Sequence, residues 1–183
     1  IPNPKDLDII DIPLEKEIIP GKVDKNSGSA SFKWLFNAIN LVLDGKAKAL
    51  VTAPISKVAW HKAGHKFAGQ TELLGHLTNK KPSMLFTAIS PNNGWRFNTL
   101  LATTHIPLEK INNNLTKELI RYKLDSLLSF CRKFKEKPFI QIAGLNPHAG
   151  EEGKIGIEEL NLIIPILNEW KLDNPTIKIH GPI

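Results

Sequence analysis

Apolar positions along this chain recur at two different spacings, and the alternation between them predicts the elements. Phe32, Leu35, Phe36, Ile39, Val42 and Leu43 return every three or four positions, which is one face of a helix that Asp44 and Gly45 bring to an end. Ser27, Gly28, Ser29 and Ser31 precede it, and each is a candidate cap. Residues 47–53 have a different character, a short continuous apolar run closed by Pro54, and predict a buried parallel strand. A short helix over 55–63, stopped by Gly64, is expected next. Residues 82–89 and 95–103 predict two strands about a turn at 90–94, where Pro91, Asn92, Asn93 and Gly94 are strong turn formers.

Thr116 is the expected cap of a long helix reaching about Phe134, with Leu119, Ile120, Leu124, Leu127, Leu128 and Cys131 on its apolar stripe. Pro138 bars further helix, and 139–145 predict another buried strand. Residues 158–170 read as helix with Pro165 inside, so a kink or a restart is expected there. Ile177 and Ile179 predict a last strand, with Gly181 and Pro182 as its exit. The first 23 residues, punctuated by Pro2, Pro4, Pro13 and Pro20, predict a strand fragment over 7–12 and a connecting loop.

Strands alternating with helices define an α/β chain, and the expectation is a mostly parallel sheet covered on both faces, a three-layer α/β/α arrangement. Residues 1–183 read as a single α/β region, without an internal repeat, low-complexity tract or linker. A domain of this length buries about 70% of its unfolded surface, enough for a sizeable core.

Open α/β sheets bind ligands where their strands end. The run 139–145 breaks at Asn146, Pro147, His148, Ala149 and Gly150, and the run 97–103 breaks at Thr104, His105, Ile106 and Pro107. Each strand therefore delivers one histidine to the same edge. Neutral imidazole is a common ligand of divalent metals, but two histidines do not complete a site, and these lie too far apart for any short zinc motif. On pattern alone, metal ligation and simple hydrogen bonding to loop backbone both stand. Gly69, Gln70, Thr71 and Glu72 precede an apolar patch and offer helix-start N–H groups plus a hydroxyl, either a phosphate cradle or a plain cap. Lys57, just past a predicted strand end, faces either a phosphate or solvent. Asn146 either fixes its loop or touches substrate. Glu151 and Glu152, adjacent on a glycine-rich loop, read as solvated, and His61, His65 and His76 have no partner pattern.

The formal charge of +6 and pI of about 9.4 raise the possibility of nucleic acid. Twenty-one lysines against three arginines, with Lys80 and Lys81 the only adjacent lysine pair, argue against it, because base readout relies on arginine and a binding stripe clusters. A basic bias also suits an anionic, phosphorylated substrate. Cys131 is the only cysteine, so no internal disulfide forms, and its place on an apolar stripe makes it core. No run approaches a membrane span and no signal-peptide pattern opens the chain, so the expected setting is cytoplasmic, with no membrane partner.

Four stretches carry a family resemblance: VTAPISK (51–57), LLATTHIPLEKI (100–111), GLNPHAGEEGKIGIEEL (144–160) and the later IIP, NEW and GPI pieces. In order and approximate spacing they resemble the 4-hydroxythreonine-4-phosphate dehydrogenase family of pyridoxal phosphate (vitamin B6) biosynthesis. The resemblance implies an isocitrate/isopropylmalate dehydrogenase-like fold and a homodimer. It implies NAD-dependent oxidation and decarboxylation of 4-phosphohydroxy-L-threonine to 3-amino-2-oxopropyl phosphate, with a divalent metal (Zn, Mg or Co). It makes His105 and His148 metal ligands and places Gln70 and Thr71 at the substrate, and it assigns no catalytic or NAD-binding residue. Gln70 is a departure, since the family usually has histidine there; glutamine still donates hydrogen bonds but carries no titrating proton. The family extends further at both ends and holds its third metal histidine in a later Tyr-His-Asp-Gln-Gly segment, so this sequence is expected to be a middle portion, with half a metal site and no turnover by itself. Two alternatives remain: a dehydrogenase for another phosphorylated hydroxy acid such as erythronate 4-phosphate, or an inactive binding or scaffold fragment.

Overall fold

The computed structural model describes residues 8–183. The chain divides into two compact units, Ile1–Pro82 and Ser83–Ile183, where a single region was the expectation.

The first unit is built on α1 (Lys25–Leu43), α2 (Lys57–Lys62) and α3 (Gln70–Thr78). Helix α1 starts ahead of its first apolar position because Asp24, not a serine, caps it. The Asp24 carboxylate accepts from the Ser27 N–H at 2.9 Å and the Ser27 hydroxyl accepts from the Asp24 N–H at 3.3 Å, a reciprocal capping box. Gly28 is buried one turn in, and a Cβ there would lie 1.9 Å from the Ala59 carbonyl oxygen. Only glycine lets α1 cross α2 so closely. Ser56 caps α2 through the Ala59 N–H, and Trp60 on α2 is fully buried with its indole N–H donating to Ser31 Oγ at 3.0 Å. Leu35, Ile39, Trp60 and Leu73 form the core, flanked by Phe32, Leu50, Ile55, Phe67, Leu74 and Leu77. Each such side chain contributes roughly 1.5–3 kcal/mol when fully buried.

Two expected strands do not form in this unit. Residues 47–53 carry no regular structure and Val51 is 97% exposed. Apolar composition supplies a face to bury but not a ladder, and among the described residues no strand pairs with this backbone. Residues 8–12 are likewise irregular, with Ile9 and Ile10 exposed; residue 7 lies outside the described residues.

In the second unit, β1 (Leu85–Ile89) and β2 (Arg96–Leu100) form an antiparallel hairpin with Leu85 opposite Leu100 and Ile89 opposite Arg96. Its turn closes where expected, Gly94 donating to the Ser90 carbonyl at 2.9 Å with φ +70°. A short 3-10 turn (Leu108–Lys110) leads into α4 (Ile111–Asn114) and then α5 (Lys117–Cys131), which Thr116 caps by accepting from the Leu119 N–H at 3.2 Å. The predicted stripe is the buried one: Ile120, Leu124 and Leu128 are covered, Cys131 half-covered. They pack with Ile140, Ile163, Ile166, Leu167, Trp170 and Ile177.

Strands β3 (Phe139–Gln141) and β4 (Lys178–His180) pair in parallel, Ile140 beside Ile179. The strand expected over 139–145 is regular for only three residues. Beyond them Ile142 N–H donates to the His180 carbonyl and Gly144 N–H to that of Ile183, but Pro182 has no N–H and the ladder skips it. Pro165 acts as expected. A π-helical turn (Glu159–Ile163) precedes it and α6 (Ile164–Asp173) restarts with the proline in its first turn, where a missing N–H costs nothing.

The α/β class therefore holds, but the single mostly parallel sheet does not appear among the described residues. They contain two separate two-stranded sheets, one antiparallel and one parallel. The tight turn at 90–94 forces the first pair antiparallel, and the unpaired 47–53 removes a parallel neighbour.

Candidate functional site

His105 lies in the loop after β2 and His148 in the loop after β3, strands of two separate sheets rather than one shared edge; both side chains are exposed. Both residues have left-handed backbone, φ +55° and +52°. His148 opens a left-handed turn in which His148, Ala149, Gly150, Glu151 and Glu152 all have φ between 44° and 82°. For each non-glycine residue that conformation costs about 1–2 kcal/mol, so the surroundings must impose it.

Glu159 secures the chain that enters this turn. Its carboxylate is only 1% exposed, and Oε1 accepts from the backbone N–H groups of both Leu145 and Asn146 at 2.7 Å, while Oε2 accepts from Asn146 Nδ2 at 2.8 Å. These are the donors that the end of β3 would otherwise leave unpaired. Asn146 Nδ2 also donates to Glu158 Oε2 at 2.7 Å, and Glu158 Oε1 accepts from Asn112 Nδ2 at 2.8 Å. Two glycines make room: a Cβ on Gly150 would lie 3.0 Å from Glu159 Oε2, and one on Gly156 would lie 2.2 Å from Asn146 Nδ2. Burial pushes the Glu159 carboxyl up, but the hydrogen bonds from Asn146 and Leu145 outweigh it and hold the group below the usual carboxylate range. Glu158 is also lowered, chiefly by the Asn146 amide.

Asn146 thus fixes its loop through both N–H bonds of its amide. Glu159 is the residue that sequence reasoning passed over. The signal was present, because Glu159 sits four positions before Ile163 on the buried row of Ile163, Ile166, Leu167 and Trp170, and a carboxylate in such a row must be fully partnered. Glu151 and Glu152 are exposed.

In the first unit, Gln70 and Thr71 begin α3 after Gly69, which supplies no side-chain cap. Gln70 Nε2 donates to the Ala53 carbonyl at 2.8 Å, leaving its second N–H and its amide oxygen, and Thr71 is exposed. The Lys57 side chain runs beside this helix start: a Cβ on Gly69 would lie 3.4 Å from Lys57 Cε and 3.2 Å from Glu72 Oε2. Lys57, Gln70 and Thr71 therefore gather a cation, amide donors and a hydroxyl at one helix N-terminus, the chemistry that suits an oxyanion. The other histidines there serve packing. His65 stacks flat on Phe32 at 3.5 Å, and burial lowers its pKa; His76 leans on Phe67, and His61 meets the Phe67 carbonyl. Burial pushes the Cys131 thiol up, and Asn98 Nδ2 touches its sulfur at 3.9 Å.

Two exposed imidazoles suit a borderline divalent ion such as zinc or cobalt by donor type. Among the described residues no group of three or more His, Cys, Asp and Glu is placed to hold a metal. No described helix is long and apolar enough to cross a membrane.

Comparison with known proteins defines the family. The family model described as pyridoxal phosphate biosynthetic protein PdxA matches residues 2–183, and the chain belongs to that family. It is 50% identical over 182 residues to the 4-hydroxythreonine-4-phosphate dehydrogenase of Synechococcus sp. (strain RCC307), covering 99% of this chain and 56% of the relative. It is 44% identical to the enzyme of the same name from Thermosynechococcus vestitus, covering 99% of this chain and 54% of that one. The crystal structure of 4-hydroxythreonine-4-phosphate dehydrogenase from Klebsiella pneumoniae superposes with a TM-score of 0.83 at 32% identity, covering 94% of this chain and 51% of that one. The chain thus spans about half the length of the relatives it matches.

Proposed function

We propose that this chain forms part of an NAD-dependent dehydrogenase that oxidises 4-phosphohydroxy-L-threonine and decarboxylates it to 3-amino-2-oxopropyl phosphate, a step of pyridoxal 5′-phosphate biosynthesis. The observation that carries this reading is the family match along nearly the whole chain, with 50% identity to a relative bearing that enzyme's name. In this reading the two small sheets are components of a three-layer α/β/α fold, in a cytoplasmic homodimer.

The alcohol carbon gives a hydride to NAD⁺ and its hydroxyl loses a proton, leaving a ketone. The carboxylate, one carbon further along, then leaves as carbon dioxide, its bonding pair passing into the ketone as an enolate that takes up a proton at carbon. A divalent ion, when bound, supplies Lewis acidity for both steps. His105 and His148, both on left-handed backbone, would supply ring nitrogens to it. Thr71, the remaining Gln70 N–H and Lys57 bind the substrate phosphate at the start of α3. Gln70 supplies hydrogen bonding without charge there, which favours a second reading, a dehydrogenase for a related acid such as erythronate 4-phosphate.

The test is a parallel assay of the full-length gene product with NAD and a divalent ion, offering 4-phosphohydroxy-L-threonine or erythronate 4-phosphate and following NAD reduction. Reduction with the first substrate, lost in His148→Ala at unchanged circular dichroism, is expected. Reduction with erythronate 4-phosphate alone selects the second reading, and activity untouched by His148→Ala overturns the role given to that residue.

A further inference from the structure

The hydrogen bonds around Asn146 reach beyond the turn that carries His148. Glu158 divides its two oxygens between partners far apart in sequence, Oε2 to Asn146 and Oε1 to Asn112. Asn146 stands two residues before His148. Asn112 stands on α4, which follows His105 after only Ile106, Pro107 and the 3-10 turn Leu108–Lys110. A single carboxylate therefore grips both histidine-bearing segments, and moving either one breaks a charge-assisted hydrogen bond.

The grip is anchored at one end. The second N–H of the Asn146 amide goes to Glu159 Oε2, and Glu159 is buried and already tied to the backbone of the β3 exit. Both Nδ2 partners of Asn146 are carboxylate oxygens, so the amide has only one sensible orientation. The His148 turn is thus the fixed jaw. The His105 segment is held less directly: α4 is four residues long, without a side-chain cap, and Asn112 is exposed, while Leu115 just after it is buried in the core.

We propose that Glu158 is a positioning residue, which through Asn112 and Asn146 holds the His105 segment in register with the His148 turn so that both imidazoles are presented together to a divalent cation. The inference rests on reading His105 and His148 as ligands. Glu158 touches neither ring; it acts on the backbone that aims them. Outer partners of this kind typically change metal affinity by about 10–100-fold when removed.

Cobalt(II) titration of the full-length protein tests this, read by the visible absorption of the bound ion, with Asn112→Ala, Glu158→Ala, the double variant, His105→Ala and His148→Ala. Asn112→Ala removes one bond at an exposed position, and is expected to raise the cobalt dissociation constant about tenfold and alter the absorption band while the melting temperature stays put. Glu158→Ala is expected to raise it further, toward about 100-fold, with the double variant no worse than Glu158→Ala alone because both act through one link. Wild-type affinity and spectrum in Asn112→Ala and Glu158→Ala, with binding still abolished by either histidine substitution, overturn the register role and leave the ligand reading intact. Cobalt binding indifferent to both histidine substitutions removes the ligand reading and this inference with it.

Discussion

Replacing Glu159 is the most informative single perturbation of this chain. In Glu159→Ala the backbone N–H groups of Leu145 and Asn146 lose their acceptor in a place where the carboxylate is 1% exposed. Each buried N–H left unpaired costs roughly 1–3 kcal/mol, while the Asn146 amide keeps Glu158. Water entering the vacated volume recovers part of this, so a loss of about 3 kcal/mol is expected, large against a total of roughly 5–15 kcal/mol. Glu159→Gln keeps the shape and one oxygen but turns an amide N–H₂ toward Asn146 Nδ2, donor against donor, and is expected to lose about half as much. The assay is urea denaturation at several pH values. The Glu159 carboxyl is held below its unfolded value of about 4.3. The stability it contributes is therefore present above that value and lost as pH falls through the lower folded one. The gap between the parent protein and Glu159→Gln should be widest at neutral pH and close in acid. A Glu159→Ala midpoint equal to the parent's at neutral pH, or a gap to Glu159→Gln that ignores acid, refutes the argument.

Three further outcomes follow from features elsewhere in the chain. Gly28→Ala gains about 1 kcal/mol of helix propensity but drives a Cβ to 1.9 Å from the Ala59 oxygen, so net destabilisation is expected in thermal melts; a raised melting temperature would show that α1 and α2 part easily. Thr116→Ala removes the cap of α5 and should cost about 1 kcal/mol in denaturant titration, with Thr116→Ser recovering most of it. His65, whose pKa burial lowers, resists protonation in the folded chain, so stability should fall as pH drops below its unfolded value of about 6.5; His65→Phe keeps the stack on Phe32 and should flatten that dependence.

The elements that sequence reasoning located are those whose signals are local. The 90–94 turn, the Thr116 cap, the Pro165 restart and the stripe of Ile120, Leu124 and Leu128 each follow from residues within a turn or two of one another. Residues 47–53 failed for the opposite reason, since a strand exists only with a neighbour and apolar composition does not name one. Asp24 was missed as a cap because three serines and a glycine, each a candidate cap, stood between it and Phe32. At the candidate site, the shared sheet edge expected for the two histidines does not form among the described residues, because β2 and β3 belong to separate sheets. Their support was not readable either, because Glu159 lies 14 residues from Leu145 and Glu158 lies 46 from Asn112, pairings that only the folded chain brings together.

The close fit of Asn146 over Gly156 bears on how this chain can change over generations. With no room for a methyl group between them, a mutation at Gly156 is tolerated only after Asn146 has become smaller, and losing Asn146 first unties the His148 turn. A change at Gly156 is therefore open only where position 146 has already become smaller. The two positions are expected to covary across homologues, glycine persisting at 156 wherever asparagine occupies 146, and a library randomising both should recover viable combinations that neither single library contains.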